Sequence, residues 1–362
     1  MRIRYVLFAL LLAAALALPA AAQEPLVFVV HGAADAIEAY RQLFDRFTAE
    51  TGIEVDILHV PTAIHGKWEQ IIVMTMGGVS PDIVAGVSTE FGEFALNGML
   101  EPLDDYIARD GLDMSELLPS FTGALQIDGK QYILPYGSSA FPLAYNRNHF
   151  DIAGLARPPV EWGSSSWTWD DFVAAAKKLT VSDGQDVVQW GVAAYPVADY
   201  WQTIPYAFGG TWLTPDLRKF LGTEQSTIDA LSGYASLAHE HGALNPRGHQ
   251  DDFLAELGSM AAAGTWMLPR LARADIDWDF MPWFTYQDNE PAGVIFPIGF
   301  GLLSASKQKE EAWQLIKWIV FDEDNNFAYA KAAGAVPSMI SNLYPWILDQ
   351  LAIFGRDISI GV

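Results

Sequence analysis

Between Pro25 and Leu100 the chain twice passes from a short apolar run through an amphipathic stretch into another apolar run, and no other feature restricts the fold as strongly. Pro25 to Val30, PLVFVV, is a buried-type strand that stops at His31 and Gly32. Asp35, with Glu38 three residues on, starts a helix whose apolar face is Ile37, Tyr40, Phe44 and Phe47 and which Gly52 ends. Ile53 to Val60 supplies the second strand. His65 to Met76 then carries Trp68, Ile71, Ile72 and Thr75 on one side, Gly77 and Gly78 close it, and Pro81 to Ala85 is the third strand, before a short helix from Phe91 to Leu96. Strand, helix, strand within about 35 residues predicts parallel strands with right-handed crossovers. Such sheets bind ligands beyond the carboxyl ends of their strands, which puts His31, Gly32 and Ala33, and Val87, Ser88 and Thr89, on one rim.

A chain of 362 residues exceeds what one core usually serves, so two domains are expected. Asp128 to Asn148 is where the chain is expected to leave one lobe for the other. Two strand-like runs, Gln131 to Leu134 and Phe141 to Tyr145, flank Pro135, Tyr136, Gly137, Ser138 and Ser139, which puts Tyr136 and the serines at a cleft floor. An ordinary hairpin loop inside one domain accounts for these residues equally well. Further on, Thr168 caps a helix with Asp171, Val187 to Ala194 is a strand, and Ile228 to His241 and the Ala- and Gly-rich Asp251 to Gly264 read as helices. Asp275 to Phe284 reads as an extended segment returning to the first lobe, Val294 to Ser304 as an apolar, glycine-bearing run, and Lys307 to Phe321 as an amphipathic helix. A polar break at Asp322 to Asn326 precedes two more helices.

Residues 1–22 have a basic start, an apolar run from Tyr5 to Leu18 and an Ala20, Ala21, Ala22 ending, the pattern of a secretion signal cut after Ala22. An uncleaved membrane anchor is the alternative. The absence of cysteine excludes disulfides, thiolate catalysis and lipid attachment at a cysteine, so a free periplasmic protein is expected. With 44 acidic against 21 basic residues the net charge is −23, and a leader holding Arg2 and Arg4 takes two of those basic residues with it. So acidic a chain is repelled by nucleic acid and anionic lipid, and neither is expected as a partner.

Several motif readings fail on inspection. Asp275, Asp277 and Asp279 begin like a calcium loop, but Phe280 stands where glycine is obligatory and Tyr286 where the closing Glu belongs. His239 and His241 cannot face one metal from a helix. Ser304 to Lys307 spells SxxK without the companion KTG or SDN, and is better read as a helix start capped by Ser306. No phosphate loop, GxGxxG or GxSxG occurs, so no cofactor is expected. The adjacent acids Asp104 with Asp105, Asp170 with Asp171, and Asp251 with Asp252 suit helix starts. What remains is aromatic. Trp190, Tyr195, Tyr200, Trp201, Tyr206, Phe208 and Trp212 crowd one span, and Trp266, Trp278, Trp283, Phe284 and Tyr286 another. Any one of them is as readily core as site, yet together they suit the apolar C–H faces of a sugar ring.

The stretches FVVHGAADAIEAYRQLFDRFTAETGIEV, SPDIVAGVSTEFGEFALNGMLEPLDDYI, DGKQYILPYGSSAFPLAYNRNHFDIAGL, WTWDDFVAAAKKLT, ELGSMAAAGTWMLPRL and FPIGFGLLSASKQKEEAWQLIKWIV occur in an order that resembles the family 1 extracellular solute-binding proteins of sugar-type ABC importers. The resemblance implies a two-lobed α/β fold, the type II periplasmic binding protein fold, with ligand held between lobes joined by crossings near Ser138 to Phe141, Asp279 to Met281 and Asn325. The implied division is a first lobe of 23–138 plus 280–324 and a second of 139–279 plus 325–362. It implies no enzymatic activity, a monomer, and as partners a small carbohydrate and the ABC permease subunits of the inner membrane. The ligand-binding positions it implies are His31, Ser88, Thr89, Tyr136, Trp266, Arg270, Gly299 and Phe300, to which the cleft-floor reading adds Ser138 and the aromatic loops add Trp201 and Trp212. Where maltodextrin-type members carry Trp, Asp and Arg after the third strand, this chain has Gly86, Thr89 and Glu90, which argues against a maltodextrin ligand. Two alternatives stay open: a glycerol-phosphate-type polyol held by Arg270, and a secreted carbohydrate-active enzyme with two carboxylates across the cleft.

Overall fold

The first apolar runs fold as their pattern requires. In the computed structural model, β1 (Leu26–Val30), α1 (Ala34–Thr51), β2 (Val55–His59), α2 (Ile64–Met76), β3 (Ile83–Val87) and α3 (Ser88–Leu96) follow in order. The structure describes residues 24–30, 34–60, 64–159, 166–193, 204–214, 218–249, 251–287, 289 and 293–353. β1 pairs in parallel with both β2 and β3, with Phe28 opposite Ile57 and Ile83. Alternation along β1 sorts its side chains between two layers. Leu26, Phe28 and Val30 pack with Ile37, Tyr40, Phe44 and Phe47 of α1, while Val29 packs with Trp68 and Ile71 of α2.

After a small hairpin of β4 (Gln126–Ile127) and β5 (Lys130–Gln131), the chain enters β6 (Ile133–Ala140), buried along nearly its whole length. Pro135 to Ser139, expected as a connecting loop, are therefore strand. The turn into β7 (Leu143–Asn146) comes at Phe141 and Pro142, and β7 belongs to a different sheet. The segment does carry the chain from one sheet to the other, a few residues later than its composition suggested.

α4 (Trp169–Leu179) opens with a reciprocal cap between Thr168 and Asp171. It is followed by β8 (Val181–Asp183), β9 (Asp186–Val192) and α5 (Gln225–His239). The expected helix over Asp251 to Gly264 survives only from Asp251 to Leu254; the rest is β10 (Gly258–Ala262). Small residues fit there because β10 lies between β9 and β7, with Met260 facing one core and Ala261 the other. β11 (Trp278–Met281) pairs with β7, so this extended segment stays in the second sheet, whose order is β11-β7-β10-β9-β8.

The return to the first sheet is β12 (Ile295–Leu302), antiparallel to both β3 and β6. α6 (Lys309–Val320) buries Trp313, Leu315, Ile316 and Ile319 against the cluster on α1. α7 (Glu323–Ala332) and β13 (Val336–Pro337) stay with the same sheet, giving the order β13-β6-β12-β3-β1-β2. This differs from the expected division at Asn325. The polar break is a helix start, Asp322 capping Asn325, and its asparagines are internal pegs: Arg46 donates to Asn325, and buried Asn326 donates to the Tyr136 carbonyl and to Ser338. Tyr329 of α7 stacks on Tyr40 of α1 at 4.3 Å. In α8 (Leu343–Ile353), Trp346 packs against a cluster of the second sheet.

Candidate functional site

The two sheets meet around Phe141. Its ring lies edge-on to Trp266 at 4.7 Å and to Phe296 at 5.0 Å, and its carbonyl accepts a 2.6 Å hydrogen bond from the Trp283 indole. Beside it, the Ala140 amide donates to the Thr265 hydroxyl at 3.4 Å. Gly334, in the turn after α7, sits against the backbone of Thr265 and Trp266 with a left-handed φ of 64°. Trp283 belongs to the second aromatic span and Phe141 to an expected crossing, whereas Phe296 and Gly334 were not singled out in the sequence. The signal available was the Phe-Pro step after β6 and a glycine just past a helix end.

Trp266, in the turn that follows β10, is half-exposed at this junction, at the carboxyl end of a strand whose parallel partner is β9. Arg270, one turn on, is exposed and donates to Asp251 at 2.8 Å; that pairing holds the Asp251 carboxyl below its usual range. In the first sheet, Ser88 and Thr89 are the first residues of α3, at the carboxyl end of β3, half-exposed and exposed. Trp212 is half-exposed and stacks loosely on Phe220 at 6.0 Å in a strand pair bridged by Leu213 and Phe220. His31 and Trp201 lie outside the described residues.

Four expected residues are interior. Tyr136 and Phe300 stack on each other at 4.7 Å inside the first sheet's cluster, together with Tyr40 and Tyr329, and burial raises the Tyr136 phenol well above its ordinary pKa. Ser138 is 1% exposed, its hydroxyl donating to the Ser139 carbonyl. Gly299 lies in buried β12 at a register shift opposite Pro135. Of the expected residues, Trp266 reaches the junction through its contact with Phe141, and Ser88 and Thr89 lie at the carboxyl end of β3.

A family model for the bacterial extracellular solute-binding proteins matches residues 33–326. The chain belongs to this family. This solute-binding protein is 23% identical over 288 residues to the maltotriose-binding protein of Pyrococcus abyssi, covering 77% of this chain and 59% of that one. It spans 59–64% of the length of the curated relatives it matches. Among solved structures it is similar to an ABC substrate-binding protein of Listeria monocytogenes in complex with cycloalternan, with a TM-score of 0.79, 22% identity, and 91% of this chain and 86% of that one covered. It is also similar to UgpB of Mycobacterium tuberculosis in complex with glycerophosphocholine, with a TM-score of 0.77, 22% identity, and 91% and 86% covered. The likeness establishes the two-lobed α/β fold of the type II periplasmic binding proteins.

Membership of the family places the solute-binding protein outside the cytoplasm, and no helix among the described residues is long and apolar enough to cross a membrane. Among the described residues no group of acids and histidines is arranged to hold a metal.

Proposed function

We propose that this protein reversibly binds an uncharged mono- or oligosaccharide between its lobes and delivers it to the membrane subunits of an ABC importer, after export and removal of residues 1–22. The observation that carries the reading is Trp266, half-exposed at the carboxyl end of β10 where the two lobes meet, in a chain of the solute-binding family. Its ring offers a stacking face, and Ser88 and Thr89 on the opposite rim offer hydroxyl partners. Closure would then be a population shift, because a ligand touching both lobes favours the shut arrangement by its differential affinity for it.

The Asp251–Arg270 ion pair supports an uncharged ligand over a phosphorylated polyol. The guanidinium already has a carboxylate partner, and a phosphate would have to displace it within a chain of net charge −23. Calorimetry with maltotriose, mannobiose, simple hexoses and glycerol phosphate tests the reading. A saccharide should bind, and Trp266→Ala should weaken it by about 2 kcal/mol, roughly thirtyfold. Tight binding of glycerol phosphate with no saccharide bound would refute it, as would full affinity in Trp266→Ala.

A further inference from the structure

Behind the Ser88 rim lies a charged pair with no contact with water. Lys67 of α2 and Glu90 of α3 are both wholly buried, with Nζ 2.6 Å from Oε2. The ammonium also donates to the Ala85 carbonyl of β3 at 2.6 Å, and the Trp68 indole donates to Oε2 at 3.3 Å. The second carboxylate oxygen, Oε1, reaches forward to the backbone amide of Val87 at 3.5 Å. Glu90 is the third residue of α3, so its side chain folds back over the helix start and meets the last residue of β3. Burial pushes the Lys67 ammonium below its ordinary pKa, and Glu90 opposes the shift.

Such a pair is costly to keep. Desolvating two charges rivals their attraction, and apolar residues of similar volume are often neutral or better for stability. Here the pair also dictates its neighbour. A Cβ added at Gly86 would lie 2.6 Å from Glu90 Oε2 and 3.0 Å from Lys67 Nζ, so any larger residue there would have to push the pair aside. Its bonds converge on three consecutive β3 residues, Ala85 by its carbonyl, Gly86 by contact and Val87 by its amide, immediately before Ser88 and Thr89.

We infer that Lys67 and Glu90 are positioning residues that fix the Val87–Thr89 turn, so that the first lobe offers its rim hydroxyls from a rigid, electrically neutral base. The inference rests on the saccharide-binding reading for the identity of the ligand and on geometry alone for the turn. Lys67 holds the carboxylate, the carboxylate holds the Val87 amide, and Ser88 and Thr89 follow with no freedom to turn away. A loosened turn lowers affinity because each hydroxyl must be ordered again on binding.

The test compares the full chain with Lys67→Met/Glu90→Met, an apolar pair of similar volume, by amide hydrogen exchange without ligand and by calorimetry with maltotriose and mannobiose. The amides of Val87–Thr89 should exchange about tenfold faster while those of α1 and α6 stay unchanged, and saccharide affinity should fall by about tenfold, a 1.4 kcal/mol effect. Unchanged exchange at Val87–Thr89 overturns the inference. So does an increase spread evenly over the first lobe, which would mark the pair as a general stabiliser. Should the double variant fail to fold, Glu90→Gln, which keeps the shape and removes the charge, should loosen the same three amides, and normal protection there overturns the inference equally. If the unaltered protein binds no saccharide, the proposed function fails, while the exchange result still decides the role of the pair.

Discussion

Gly334→Ala tests whether the contact between the lobes sets ligand affinity. Gly334 has a φ of 64°, and a Cβ built on it would lie 2.7 Å from the Trp266 Cα and 3.1 Å from the Thr265 carbonyl oxygen. Carbon atoms pack at about 3.5–4.0 Å, so the new methyl has to gain roughly 1 Å. The left-handed conformation costs alanine about 1–2 kcal/mol by itself, and overpacking adds about 1–3 kcal/mol. Gly52→Ala separates the two terms. Gly52 has a φ of 77° in the first lobe with nothing within 4 Å of an added Cβ, so it carries the backbone penalty and no collision. Both variants should therefore lose about 1–2 kcal/mol of first-lobe stability in urea unfolding. Only Gly334→Ala should also displace the Trp266 wall, weakening saccharide binding by about 1–3 kcal/mol, or roughly fivefold to a hundredfold. Calorimetry on the two variants side by side is the assay. Equal affinity in both would refute the claim that Gly334 seats the second lobe.

Other outcomes follow from the same contacts. Asn326→Ala removes the partner of the Tyr136 carbonyl, the Ser338 hydroxyl, the Met339 amide and the Asn342 side chain, and should cost about 2–4 kcal/mol in urea unfolding; a loss under about 1 kcal/mol would detach α7 from the first lobe's core. His149 is buried against Ser259 and Glu256, and burial lowers its pKa from the ordinary 6.5 with Glu256 opposing. The unfolded chain then takes up a proton that the folded chain resists, so stability should fall as pH drops from about 6.5 towards the lowered value, and His149→Asn should flatten that slope in melting curves taken across pH. Arg270→Ala should leave saccharide affinity within about twofold, since the guanidinium is occupied by Asp251; a loss beyond about tenfold in calorimetry would show that it turns to the ligand instead.

Local pattern announced the first lobe well, because β1, α1, β2, α2 and β3 each carry their own periodicity and their own stop residues. What it could not announce was set by partners distant in sequence. Gly258 to Ala262 reads as helix from its alanines, and becomes strand because its backbone pairs with both β7 and β9. Asp322 to Asn326 reads as a break because its side chains are polar, and becomes interior because each amide finds a carbonyl or hydroxyl from another element. Tyr136 and Phe300 stand at the expected places in the chain, but strand alternation turns both rings into the core. Glu90 reads as an ordinary acid in a first helical turn; its ammonium partner lies 23 residues earlier, on another helix, and no spacing rule joins them.

Those same long-range pairings also neutralise charge within so acidic a chain. Glu90 is committed to Lys67 out of contact with water, and Arg270 to Asp251 at the surface. On the saccharide-binding reading proposed above, an uncharged ligand would meet the Trp266 indole and the Ser88 and Thr89 hydroxyls, and the summed field of the −23 chain would exert no net force on it. The lobes touch through rings at Phe141, Trp266 and Phe296 and through the bare backbone at Gly334. The ring contacts are non-directional, and beside them the Ala140 amide adds one long hydrogen bond to the Thr265 hydroxyl. The free energy that selects the shut arrangement then has to come from the ligand's own contacts with both lobes, which is the condition for binding that is specific and still reversible.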